Sequence, residues 1–426
     1  MSAPHHTPGR DGHAPSRPAG RARLTAVVLA AVVAAGLIGA AAYAAQDVPG
    51  QPHRTQDDLQ LDWQARSSGV QVLGGTRDPG IPSVQRIRHD NVYFTVTIAP
   101  ARPGPNLVRI DVTKVRGGTH TSHRNQKVYV GTSADFDAGR QVLAEPRPGA
   151  SGLWAVVDLP PGSGTVLLTH GRWHRVPFAV DTGDAAAPAT FAGADGPECL
   201  TAATAAVLAG GEPSTGCPSD ALSDTDRSAL DAVVTMLVSR GVQEIAVQHD
   251  DSVRSTAAYS FIQQAVHEIA GGSGVRVVEP SDAPGERNAL LVVSGWADAA
   301  SSLEAVSRTT LRQQPIRSDG TWLAPWLLTP TVVDSTAGAV LALDFDIRDE
   351  AAQEFSQTLA ALFPGQSPTS SGYQAWRAAR GGEPDTLQLY AASRAAYMPA
   401  EPGHVAHGTE VAWFPGGTVT PVGTLP

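Results

Sequence analysis

The chain is 426 residues long with a formal charge of −10, from 31 Lys+Arg against 41 Asp+Glu, a balance that argues against a nucleic-acid partner. Only Lys114 and Lys127 are lysines, which leaves little room for lysine-dependent chemistry, and there is no Gly-x-x-x-x-Gly-Lys phosphate loop. With 42% hydrophobic residues alongside 43 Gly and 33 Pro, the length predicts two or three domains joined by many turns.

Residues 1–23 are rich in Pro, Gly, His, Ser and Arg and read as a disordered cytoplasmic tail. Residues 24–45, which begin at Leu24 and end at Ala45, carry no charge and match the roughly 20 apolar residues of a membrane-spanning helix. The tail bears Arg10, Arg17, Arg21 and Arg23 against Asp11, so the positive side stays in the cytoplasm. This predicts a single-pass protein at the cell membrane with its bulk extracytoplasmic. A signal peptide cleaved near Ala42-Tyr43-Ala44 is the competing reading. Residues 46–56 are a linker.

Residues 57–180 read as β. Val92, Phe94, Val96 and Ile98 alternate in NVYFTVTIAP, and further β-rich runs follow between Gly/Pro turns, the pattern of an antiparallel sandwich. His120 and His123 stand three apart in GGTHTSHRNQ. Two such imidazoles can chelate copper or zinc if a third ligand joins them, with His89, His170 and His174 as the choices in this domain. The stretch has no Met or Cys. Surface histidines are the plainer reading, so no cofactor is assigned and copper stands as the alternative.

Residues 181–197 form a second linker, where the charge changes sign. Residues 46–180 hold 15 basic and 11 acidic side chains, and residues 181–426 hold 12 basic and 29 acidic. Beyond the linker the pattern is α/β over residues 198–426. Leu230, Val233, Val234, Leu237 and Val238 recur at helical spacing behind Ser223 as N-cap. VQEIAVQH (from Val242 to His249), then a helix with Ala258, Phe261, Ile262, Ala265, Val266 and Ile269 on one face, then GVRVVEP, NALLVVSG and AVLALDFD and a helix from Asp349 to Leu362, predict a mainly parallel sheet flanked by helices. Cys199 and Cys217 are the only cysteines and are expected to join in an oxidising compartment. Asp250, Asp251, Ser252 and Ser255 fall at a strand end and helix start, where open α/β sheets place ligands; helix capping explains the same residues. No Gly-x-Ser-x-Gly elbow is present, and His267-Glu268 lacks a second His at the fifth position, so no enzyme is predicted.

Two resemblances add to this. VTIAPARPGPN (from Val96 to Asn106) and LPPG (from Leu159 to Gly162) resemble the immunoglobulin-like domains of the YtkA/FixH type, relatives of which follow the membrane part of CopD/YcnJ copper-import proteins. That likeness implies a β-sandwich and a copper-handling context beside a membrane importer. EIAVQHDDSVRSTAAYSFIQQAV, LLVVSGWADAASSLEAV and DIRDEAAQEFSQTLAALFPGQSPTSSGYQAW resemble type I periplasmic binding proteins of the branched-chain amino-acid receptor kind. That likeness implies a non-enzymatic binding protein with a ligand between two lobes. Too few residues precede Val242 for a full first lobe. The expected function is therefore a membrane-anchored binding or scaffold protein that contacts a membrane or cell-surface protein partner or a small solute. The alternatives are a copper-handling accessory and the solute-binding component of a transport system.

Overall fold

The computed structural model describes residues 70–75, 78–89, 92–114, 127–170, 175–213, 216–270, 274–282, 284–308, 317–363, 365–394, 413–414 and 416–425. All belong to the compact unit Asp62–Pro426.

Its first half holds nine strands: β1 (Val70–Gly75), β2 (Ser83–His89), β3 (Val92–Ala99), β4 (Gly104–Lys114), β5 (Val128–Gly131), β6 (Val142–Pro146), β7 (Leu153–Leu159), β8 (Ser163–His170) and β9 (Val176–Asp181), with a short helix α1 (Ser133–Asp137) after β5. Every pairing is antiparallel, in the order β1-β2-β3-β4-β7-β6-β5-β8-β9. β6 pairs with both β5 and β7, so the strands make one continuous sheet. That sheet curls: the Gln85 side-chain amide on β2 donates to the Ala179 carbonyl on β9, which brings its two ends together like a barrel. Phe94, Val96, Ile98, Val108, Ile110, Val166, Leu168 and Phe178 fill the inside, as the period-2 pattern requires. On the outer face Leu107 and Trp154 join Phe191, Leu200, Ala203 and the cysteines in a second small core. That core fastens the curled sheet to the second half.

The second half comprises α2 (Gly196–Leu208), α3 (Asp224–Ser239), β10 (Glu244–Gln248), α4 (Val253–Ala270), β11 (Arg276–Val278), β12 (Asn288–Val292), α5 (Trp296–Arg308), β13 (Thr321–Leu323), α6 (Pro330–Ser335), β14 (Ala339–Leu343), α7 (Glu350–Leu362), α8 (Ser370–Ala379), β15 (Gln388–Arg394) and β16 (Gly417–Thr424). The order is β11-β10-β12-β13-β14-β15-β16. β11 to β14 run parallel, and β15 and β16 pair antiparallel. All five residues of β12 are buried, as a strand covered on both faces must be. Ser223 caps α3 through Asp226 N–H, and Leu230, Val233, Val234 and Leu237 face inward.

The fold class expected from sequence is corrected on three points. A single curled sheet replaces the two-sheet sandwich, because β6 bridges what would have been separate sheets. The α/β sheet is mixed, since the chain closes it with an antiparallel pair. The membrane helix expected over residues 24–45 lies outside the described residues, and among the described residues no helix is long and apolar enough to cross a membrane. The membrane-anchored localisation expected from that segment has no support among the described residues.

Candidate functional site

From β10 the chain goes to β11 on one side and then to β12 on the other. The crevice beyond the C-terminal ends of β10 and β12 is thus the switch point where open α/β sheets hold ligands. The four residues singled out from sequence lie there and are brought together. Asp250 N–H donates to Ser255 Oγ at 2.9 Å. The Asp250 carboxylate accepts from Ser252 N–H at 3.0 Å, Ser252 Oγ at 2.6 Å and Gly295 N–H at 2.7 Å. Burial alone would raise this carboxyl, but the hydrogen bonds from Ser252 and Gly295 outweigh it and hold Asp250 below the ordinary carboxylate value. Its acceptors serve the turn and tie the β10–α4 loop to the start of α5. Asp251 is exposed and Ser255 buried.

The chain itself fills much of the switch point. A Cβ on Gly295 would lie 2.6 Å from Asp195 Oδ1 and 3.1 Å from Asp250 Oδ2, so two carboxylates flank the glycine. Burial and then the neighbouring Glu198 carboxylate push Asp195 up to about 6. One turn into α2, Glu198 is fully buried and holds Arg254 of α4 in a two-pronged pair, at 2.8 and 2.6 Å. Ser371 of α8 donates to the same carboxylate, and the Arg254 guanidinium lies 4.4 Å from the Trp326 ring centre. Asp226 completes the cluster: burial raises it to about 6, and Arg254 only partly offsets this. Sequence reasoning passed over Glu198, Arg254 and Asp226. A signal existed, because Arg254 sits one helical turn before Ala258 and two before Ile262, and Asp226 one turn before Leu230, both in line with inward-facing positions.

Beside this cluster runs a crevice between the outer face of the curled sheet and the ends of β12 and β13. It encloses about 310 Å³, open solvent included, and its walls include Arg109, Ser151, Trp154, Trp296, Thr329 and Gln366. The β6–β7 turn closes it. Gly149 has φ +75°, and a Cβ there would lie 2.4 Å from the Trp296 carbonyl oxygen, so only glycine fits. Across the seam Ser151 Oγ and Ser367 Oγ are 3.4 Å apart, and Arg109 donates to the Gly365 carbonyl. Gln366 is 6% exposed, and neither its Nε2 nor its Oε1 has a hydrogen-bond partner. Trp154, 4% exposed, likewise has an unpaired Nε1. Unpaired buried polar atoms cost roughly 1–3 kcal/mol each. As the turn sits, a guest about the size of a water molecule enters, and anything larger needs the turn to withdraw.

Cys199 and Cys217 are joined and anchor the start of α2 in the small outer core. His120, His123 and His174 lie outside the described residues. His170 is buried in β8, edge-on to Phe94 at 5.6 Å. Among the described residues no group of three or more His, Cys, Asp or Glu could hold a metal ion.

No family model matches the chain, and no curated protein matches it. Solved structures similar to it include three whose descriptions name binding proteins. They include an extracellular ligand-binding receptor from Verminephrobacter eiseniae, at 17% identity and a TM-score of 0.29, covering 36% of this chain and 48% of that one. A substrate-binding periplasmic protein from Ralstonia solanacearum follows at 16% identity and a TM-score of 0.27, with the same coverage. A branched-chain amino acid ABC transporter periplasmic ligand-binding protein from Burkholderia xenovorans gives 10% identity and a TM-score of 0.29, covering 46% of this chain and 63% of that one. The chain spans about half the length of the first two. None of these comparisons supports the YtkA/FixH-type resemblance expected for the first half.

Proposed function

We propose that the protein is a non-enzymatic binding protein that takes a small polar solute in the crevice between the curled sheet and the ends of β12 and β13. One observation carries this reading: the buried Gln366 amide has donor and acceptor both unpaired on the crevice wall, with the Trp154 N–H also unpaired there. Buried polar groups are normally satisfied, and a guest in the crevice would satisfy these. Too little chain precedes Val242 for a second α/β lobe, and in this reading the curled sheet serves as the facing wall, which favours the solute over the protein partner.

A thermal-shift panel of amino acids, amides, polyols and metal ions, copper included, on the full chain tests the proposal. A ligand that binds only the folded state raises the melting temperature. The expected result is a concentration-dependent rise with at least one polar organic solute, reduced in Gln366→Leu. A panel in which no organic solute shifts the transition contradicts it. A shift with copper alone favours the metal reading at His120 and His123.

A further inference from the structure

We infer that the crevice selects an uncharged solute group that both donates and accepts hydrogen bonds, such as a primary amide or a vicinal diol, over a carboxylate or an ammonium. This rests on the binding reading above and adds the chemical class of the guest.

Among the described residues Arg109 is the one charged residue lining the crevice, and its charge is already met by Asp111. Nη1 lies 3.0 Å from Asp111 Oδ2, and Nη2 is 3.2 Å from Asp111 Oδ1. Nε donates to the Ser151 carbonyl at 3.2 Å, and Nη2 also serves the Gly365 carbonyl and, at 3.3 Å, Ser151 Oγ. The hydroxyls around it are engaged as well. Thr201 Oγ1 donates to the Glu198 carbonyl, Thr329 Oγ1 accepts from Val332 N–H, and Thr369 Oγ1 accepts from Gly372 N–H.

What is left over, apart from Arg109 Nη1, which is ion-paired with Asp111 but makes no hydrogen bond, is the Gln366 amide, offering a donor and an acceptor whichever way it is turned, and the Trp154 N–H. A primary amide answers this set: its carbonyl accepts from Trp154 or Gln366, and its NH₂ donates to Gln366 Oε1. A carboxylate would leave Gln366 Oε1 facing a second acceptor, and an ammonium would face the Trp154 donor. Either ion would also leave water without a counter-charge, a large penalty.

The test uses a matched set of probes on the full chain, by saturation-transfer NMR: propionamide and 1,2-propanediol against propionate and propylammonium. The expected result is binding of propionamide, propanediol or both, with the two ions at least about tenfold weaker. Propionamide without propanediol identifies the amide as the group read, and the converse identifies the diol. Gln366→Leu should weaken the neutral probe about three- to tenfold. Its melting temperature should hold or rise, because an unpaired buried amide is removed. If propionate or propylammonium binds as well as the neutral probes, the selectivity is wrong while the binding function stands. If all four probes are silent but other solutes shift the thermal transition, the inference fails alone. Silence of the whole thermal panel removes both.

Discussion

The interior of the curled sheet is hydrocarbon with His170 set edge-on against Phe94. The α/β half instead buries Arg254, Glu198 and Asp226 under the ends of its parallel strands. Both interiors are buried, but the first is held by packing, which an apolar residue of the right volume sustains. The second is held by charges that must match in number. One guanidinium faces three acids, Glu198, Asp226 and Asp195, so a full set of ionised carboxylates leaves an excess negative charge. The contrast separates a rigid wall from a site whose state depends on protons and neighbours.

The largest expected effect breaks the charge match. Arg254→Met leaves Glu198 buried with only Ser371 for company and should destabilise by about 3–5 kcal/mol, with Arg254→Met/Glu198→Leu regaining most of that loss. Urea unfolding of the two variants checks it; a double variant no better than the single would mean that packing, not charge, holds this interior. Gly149→Ala comes next. It places a Cβ where the Trp296 carbonyl stands, on a backbone at φ +75°, and should cost about 2–3 kcal/mol while loosening the β6–β7 turn. Hydrogen exchange should quicken across residues 148–151 and 365–367 and stay unchanged inside the curled sheet. Uniform quickening would show that the two halves open as one.

The smallest effect is a pH slope. Burial raises Asp226 from its ordinary 3.8 to about 6, so the native state holds that proton more tightly than the unfolded chain. The stability this contributes is full below about 3.8 and is lost as pH rises through about 6. Asp226→Asn should therefore be more stable than the parent at pH 7 by about 1–2 kcal/mol, with the gap closing toward pH 4. Denaturant midpoints at the two pH values measure it. An equal gap at both would place the effect elsewhere than on ionisation.

Much of the α/β half was readable because its cues are local. The apolar run that became β12, the helical spacing of α3 and α4, and the Asp250–Ser255 turn at a strand end each sit within about 20 residues. The charge cluster was not, because Glu198 and Arg254 are 56 residues apart and only their inward register hinted at a partner. In the first half, alternation identified strands but could not say that β6 would bridge β5 and β7. It also implied a wet face for Thr95 and Thr97, yet both are buried. The turn around Gly149 looks like any Pro/Gly turn until Trp296, far along the chain, is packed against it. The short run before Val242 says how little chain is there, but nothing in it tells that the curled sheet packs against the start of α2 through Leu107 and Trp154.

If the crevice is the proposed site, solute should reach it only when the β6–β7 turn withdraws from the strand ends. Ser151 and Ser367 face each other with their hydroxyls 3.4 Å apart, close enough for a disulfide between Ser151→Cys and Ser367→Cys. Calorimetry of the best solute from the thermal panel should show binding to the single variant Ser367→Cys and none to the cross-linked double variant. Equal affinity in the two would contradict the account and place the binding site elsewhere.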